Sequence, residues 1–264
     1  MTVKEIVDQL EVLAPPALAE SWDNPGLLVG RWNREVSRVY VALDATKSAI
    51  ESAIACRAQM LITHHPMIFS PVKQVNDSHF ITRRILTLAE EHMSYYAMHT
   101  NYDVAVMGDL AADMLKLKDP QVLEVTVPKG KFENDRPLGI GAWGCLEKPV
   151  DLETLASNVK RTFEIPAVKI FGDLDRMVSR VALCPGSGKH MTEYAIEKNC
   201  DVLITGDIDH HQGIDAIQQG IAIIDAGHHG IEHIFIDQVA GFLKERFPDL
   251  EVEKEANRSP FIVI

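Results

Sequence analysis

The chain has 264 residues, 46% hydrophobic and 24% charged, enough apolar material for one large domain or two modest ones. Its formal net charge of −12 argues against a general binder of nucleic acid or anionic membrane, although bound metal ions can invert the potential locally around a phosphate-bearing substrate. No apolar stretch reaches membrane-spanning length and no secretory-type leader is recognisable, so a soluble, cytoplasmic protein is expected.

In chain order, Thr2 and Glu5 form a capping box ahead of Ile6, Leu10 and Leu13, which predicts an N-terminal helix. The loop Ser21-Trp22-Asp23-Asn24-Pro25-Gly26 combines an aromatic residue with turn formers and reads as packed against the core through Trp22. A β-branched run over 39–43 predicts a strand, and 47–58 a helix with Ile50 and Ile54 on one face. A buried strand follows over 60–63, a helix over 81–92 and a strand over 95–98. Such alternation predicts parallel βαβ units and an α/β fold.

The pattern then recurs. Val41-Ala42-Leu43 is matched by Val181-Ala182-Leu183, and Leu61-Ile62-Thr63 by Leu203-Ile204-Thr205, with spacings that differ by two residues. A third strand follows in each copy, over 95–98 and 221–225. An internal duplication explains the matching order. The expected fold is therefore two related α/β lobes, and the histidine and carboxylate clusters at strand exits (His64-His65, Asp103, His228 and Glu232) add the expectation of a dinuclear metal site in the cleft between them. The first lobe is expected over 1–125, completed by 235–264, and the second over 126–234. The division falls near Thr126, ahead of a stretch rich in charge and turn formers over 128–137. A helix over 238–247 and a strand over 261–264 are expected to return to the first lobe. Cys56, Cys145, Cys184 and Cys200 form no CxxC pair and read as buried free thiols.

The chemistry lies at the strand exits, where parallel α/β sheets bind ligands. His64-His65 follows one strand, the 99–103 segment a second, 207–211 a third and 228–232 a fourth. Imidazole and carboxylate are ligands of zinc, iron, manganese and nickel. Two imidazoles in tandem diverge, so His64 and His65 suit two neighbouring ions rather than one. His228 and Glu232 are four apart and share a face if helical, and the two oxygens of Glu232 could bridge a metal pair. Asp103 would supply another carboxylate. Single histidines at 79, 92 and 190 read as ordinary surface or core residues. Cys184-Pro185-Gly186-Ser187-Gly188 suits either a phosphate cradle or a tight turn.

Five ordered motifs, SWDNPGLLVG (21–30), ITHHP (62–66), MHTNYD (98–103), TGDIDHH (205–211) and AGHHGIE (226–232), resemble those of the GTP cyclohydrolase 1 type 2 homologs, also called NIF-three-like proteins. The resemblance implies a toroidal homohexamer and two divalent ions per chain, held by His64, His65, Asp103, His228 and a bridging Glu232. It places His211 in substrate binding or proton transfer. Asp207 stands where the family usually has glutamate, which weakens any direct catalytic role there. The implied activity is metal-dependent hydrolysis of a small-molecule substrate, a purine nucleotide, with His211 or His229 carrying protons. At its most specific, GTP is converted to formate and dihydroneopterin triphosphate. The alternatives are a metal-dependent phosphoesterase and a non-enzymatic, metal-binding regulatory scaffold.

Overall fold

The structure is a computed structural model that describes residues 1–132 and 135–263. In chain order its strands are β1 (Gly26–Val29), β2 (Arg38–Asp44), β3 (Met60–His65), β4 (Ser94–Ala97), β5 (Lys118–Val127), β6 (Leu138–Asp151), β7 (Lys169–Phe171), β8 (Met177–Ser187), β9 (Val202–Gly206), β10 (Ala222–Asp225) and β11 (Glu251–Lys254). The chain divides into two compact units, each α/β with its own sheet. The first comprises Met1–Tyr102 with Phe235–Asn257, and the second Asp103–Ile234 with the chain from Arg258 onward. Among the described residues, no helix is long and apolar enough to cross a membrane.

In the first unit the sheet order is β1-β4-β3-β2-β11, parallel except for β1, which runs antiparallel to β4 at the edge. Residues 39–43 of β2 and 60–64 of β3 are buried on both faces, as parallel strands covered by helices require. On one face, Tyr40, Ala42, Leu61, Tyr95 and Ala97 pack with Ala49, Ile50, Ala53 and Leu88. Ala49, Ile50 and Ala53 lie on the helix Lys47–Ala55, which Thr46 caps by accepting the Ala49 N–H. Leu88 comes from the helix Phe80–Glu90. Both helices stop short of the expected ends, with Arg57 and His92 in the left-handed region that closes a helix.

The second sheet has the order β5-β6-β8-β9-β10-β7. Read from its β7 end, it repeats the first: an antiparallel edge strand, then three parallel strands in reverse chain order. β7, β10, β9 and β8 thus correspond to β1, β4, β3 and β2. The register refines the triplet matching. Leu61 pairs with Tyr40 and Leu203 with Ala182, so the two Val-Ala-Leu triplets are offset by two residues between the sheets. A shift of two keeps every side chain on its own face.

Three sequence expectations differ from the structure. The division falls between Tyr102 and Asp103 rather than near Thr126, because the turn-rich 128–137 stretch joins β5 to its antiparallel partner β6. Residues 133 and 134 of that stretch lie outside the described residues. The C-terminal strand is β11, parallel to β2, while 261–263 are exposed and irregular and Ile264 lies outside the described residues. Finally, Cys184 and Cys200 are buried free thiols, but Cys145 is exposed and Cys56 half-buried.

One buried hydroxyl organises the exit of β3. Met67 N–H donates to Tyr95 Oη at 2.8 Å. The hydroxyls of Tyr95 and Thr63 lie 3.0 and 2.8 Å from the His65 carbonyl, and 2.9 Å from each other. Burial, the largest influence, pushes the Tyr95 phenol up to about 12, so it remains a neutral donor. Tyr95→Phe should lower unfolding free energy by about 1–3 kcal/mol in urea denaturation, because buried polar groups lose their partner. Unchanged stability would mean that the chain leaving β3 is not held by this hydroxyl.

Candidate metal centre

In the first unit, three imidazoles gather at the carboxyl ends of β3 and β4. β3 runs through both His64 and His65, and His99 follows β4 by two residues. Their rings lie 4.8 to 5.5 Å apart, and one nitrogen from each falls within 4.8 Å of the others. Each ring is oriented through Nδ1. The fully buried His64 sets Nδ1 2.8 Å from the Met98 carbonyl, His65 sets it 2.9 Å from Asp44, and His99 sets it 2.8 Å from Asp23. A carbonyl or carboxylate can only accept, so each Nδ1 carries the proton and each Nε2 the lone pair. Metal-ligating histidines are held in this way. Neutral imidazoles so arranged fit a divalent ion of the zinc, iron, manganese or nickel kind.

The second unit carries its own donors. The helix His228–Glu232 begins after β10, and His228 Nε2 lies 2.9 Å from Glu232 Oε2. His228 Nδ1 lies 2.8 Å from Asp207, just beyond β9. Asp207 therefore orients His228, a role its length and its left-handed backbone (φ 60°) allow. Glu232 is 4% exposed. A Cβ at Gly186 would stand 2.2 Å from Glu232 Oε1, and the φ of +76° there also suits glycine. The small-residue loop thus makes room for a buried carboxylate. Gly206 does the same for the backbone of His228, since its Cβ would meet that nitrogen at 2.5 Å.

Asp103 opens a π-helical turn, Asp103–Met107, a distortion frequent at functional sites. Burial, followed by the charges of Asp103 and Glu232, pushes the Cys184 thiol well above its ordinary value. Cys184 therefore stays a neutral thiol and offers no thiolate. His211 is exposed in the first turn of the helix His210–Gln218, and His229 stacks on His233 at 5.7 Å. Neither belongs to a convergent donor group among the described residues, nor do His79, His92 and His190.

Sequence reasoning left out His99 as a donor and Asp23, Asp44 and Asp207 as orienting carboxylates. It also placed Trp22 against the core, whereas the ring is 56% exposed. The buried side chain of that loop is Asp23, whose carboxylate is fully enclosed. It accepts from the Thr100 N–H at 3.0 Å and hydroxyl at 2.6 Å besides His99.

An α/β protein of two sheets, with imidazole and carboxylate donors at its strand ends, defines the class. The family model for Duf34/NIF3 (NGG1p interacting factor 3) matches residues 1–260, and the chain belongs to that family. A Lactococcus lactis relative named "GTP cyclohydrolase 1 type 2 homolog" is 32% identical over 99% of both chains. A Clostridium acetobutylicum relative of the same name is 32% identical over 88% of this chain and 85% of its own. The crystal structure of a Staphylococcus aureus hypothetical protein superposes with a TM-score of 0.89 at 26% identity, covering 100% of this chain and 99% of that one.

Asp23 generates a pH prediction. Burial is the largest single influence and raises its value, but the hydrogen bonds from His99 and Thr100, with the charge of His99, together outweigh it and hold the carboxyl at about 2. A depressed carboxylate stabilises the fold above its unfolded value of about 3.9, and that contribution is lost as pH falls through the folded value. In metal-free protein, Asp23→Asn should therefore cost stability at pH 6. The difference from the native chain should shrink between about pH 4 and pH 2. A pH-independent difference in denaturant titrations would contradict this.

Proposed function

We propose that this chain is a metal-dependent hydrolase acting on a purine nucleotide, with two divalent ions held by His64, His65, Asp103, His228 and Glu232. The observation that carries the reading is the set of three imidazoles, each anchored through Nδ1 and each offering one nitrogen within 4.8 Å of the others. This set supports one ion, with His64 and His65 on the same ion rather than divided between two, and the second ion rests on the family resemblance. His99 joins the donors on the same geometry. The two oxygens of Glu232 suit it to bridging, and a carboxylate that is 4% exposed is favoured by cationic surroundings. When bound, such ions lower the pKa of water to about 7 and polarise the substrate, which supplies a nucleophile at neutral pH.

The remaining roles belong to the chain. Asp23, Asp44, Asp207 and the Met98 carbonyl fix the rings, so no orientation is lost during reaction. Either His211 or His229 carries protons at a ring nitrogen, a task to which imidazole is suited. The relatives' names point to GTP, with water and GTP giving formate and dihydroneopterin triphosphate. A closed homohexamer in the cytoplasm completes the reading.

The test is turnover by metal-reconstituted protein, with GTP, GMP and p-nitrophenyl phosphate in parallel. Formate release from GTP is expected, and Glu232→Gln or His64→Ala should reduce it by about 100-fold or more, since even outer ligand partners cost 10–100-fold. Phosphate release alone would favour a phosphoesterase. Absence of any turnover in loaded, assembled protein would favour a scaffold.

A further inference from the structure

Trp22 and Phe69 are 56% and 53% exposed, yet neither sits on a loose loop tip. Their ring centroids are 5.8 Å apart and tilted by 46°, and the Trp22 ring lies edge-on to His99 at 6.0 Å. The backbone beneath them is pinned. Asp23 buries its carboxylate against Thr100, and Glu20 N–H donates to Thr100 Oγ1 at 2.9 Å. Asn24 Nδ2 donates to the Ile68 carbonyl at 2.6 Å, tying the Trp22 loop to the Phe69 loop. An ordered frame thus leaves two large aromatic side chains, packed on each other, about half exposed, where packing alone would bury them. Phe69 also lines a cavity of about 500 Å³ together with Met67, Val72, Gln74 and Asn76. That volume is within the range of small-molecule sites.

We propose that Trp22 and Phe69 form a stacking platform for a planar heteroaromatic ring of the substrate, set beside His99. A flat ring is the occupant whose shape and polarisability match a pair of half-exposed aromatic rings, and stacking is tolerant of which heterocycle it is. Because the platform adjoins His99, a stacked ring lies next to the imidazole cluster. Tethering between the loops means that little ordering is needed on binding. The choice of a purine rests on the hydrolase reading above; the demand for a flat ring rests on the aromatic pair alone.

The experiment is calorimetric titration of metal-reconstituted protein with GMP and with ribose 5-phosphate, which keeps the phosphate and sugar but lacks the base. GMP should bind more tightly than ribose 5-phosphate. Trp22→Ala and Phe69→Ala should each weaken GMP by about 5- to 150-fold, the effect of losing one aromatic stacking partner. Ribose 5-phosphate affinity and metal content should not change, and Trp22→Phe, which keeps a ring, should retain most of the GMP affinity. No measurable GMP binding, equal affinity for the two probes, or alanine variants that bind GMP as the native chain does would overturn the proposal. Light scattering that shows altered assembly in Trp22→Ala with GMP affinity intact would overturn it too, assigning the pair to a contact between copies. Base-dependent binding that is lost in Trp22→Ala, without nucleotide turnover, would retire the hydrolase reading and leave the platform standing. Turnover with unaffected alanine variants would do the reverse.

Discussion

The structure depends on the tethering of imidazole Nδ1 atoms. His64, His65, His99 and His228 each present Nδ1 to an oxygen, at 2.8, 2.9, 2.8 and 2.8 Å respectively. For His64, His65 and His99 the proton is confined there and the lone pair sits on Nε2, whereas His228 faces a carboxylate at each nitrogen, Asp207 at Nδ1 and Glu232 at Nε2. None of the four rings can turn without losing a hydrogen bond. Three of the four acceptors are carboxylates, which strengthens the hydrogen bond and raises the basicity of the far nitrogen. Every functional statement about these histidines follows from that constraint.

Parallel sheets explain why the acceptors are where they are. Asp44 ends β2 beside the end of β3, and its pairing with His65 follows from the ladder, in which those two residues are register partners. Asp207 follows β9 as His228 follows β10, and these strands are parallel neighbours. Each unit thus sets donor and acceptor on adjacent strand exits, the place where parallel α/β sheets leave backbone and side chains free for ligands. The strand pairs are not equivalent, β2/β3 in the first unit and β9/β10, the counterparts of β3/β4, in the second, so what the two sheets share is the use of neighbouring exits rather than one duplicated position.

Much of this was legible in the sequence. The apolar runs of β2, β3, β8 and β9 announce themselves because residues buried on both faces must be continuously apolar. The tandem His64-His65 and the His228/Glu232 spacing are local signals. The orienting carboxylates are not: Asp23 is 76 residues from His99, and Asp44 and Asp207 are each 21 residues from their histidines. Only the folded register brings them together. The final strand misled for a related reason. The apolar run at 261–263 has strand-like composition but stays exposed, while Glu251–Lys254 pairs with β2 through its backbone despite its charged side chains. Turn formers at 128–137 likewise look the same whether they separate units or join two antiparallel strands of one sheet.

The central claim is that these anchored donors hold a pair of ions. Elemental analysis of the protein after metal removal, reconstitution and desalting measures it directly. The account predicts two divalent ions per chain at saturation, with both weakened by Glu232→Gln because a bridging carboxylate touches each. At most one ion per chain, or full occupancy that survives loss of Glu232 unchanged, would contradict it.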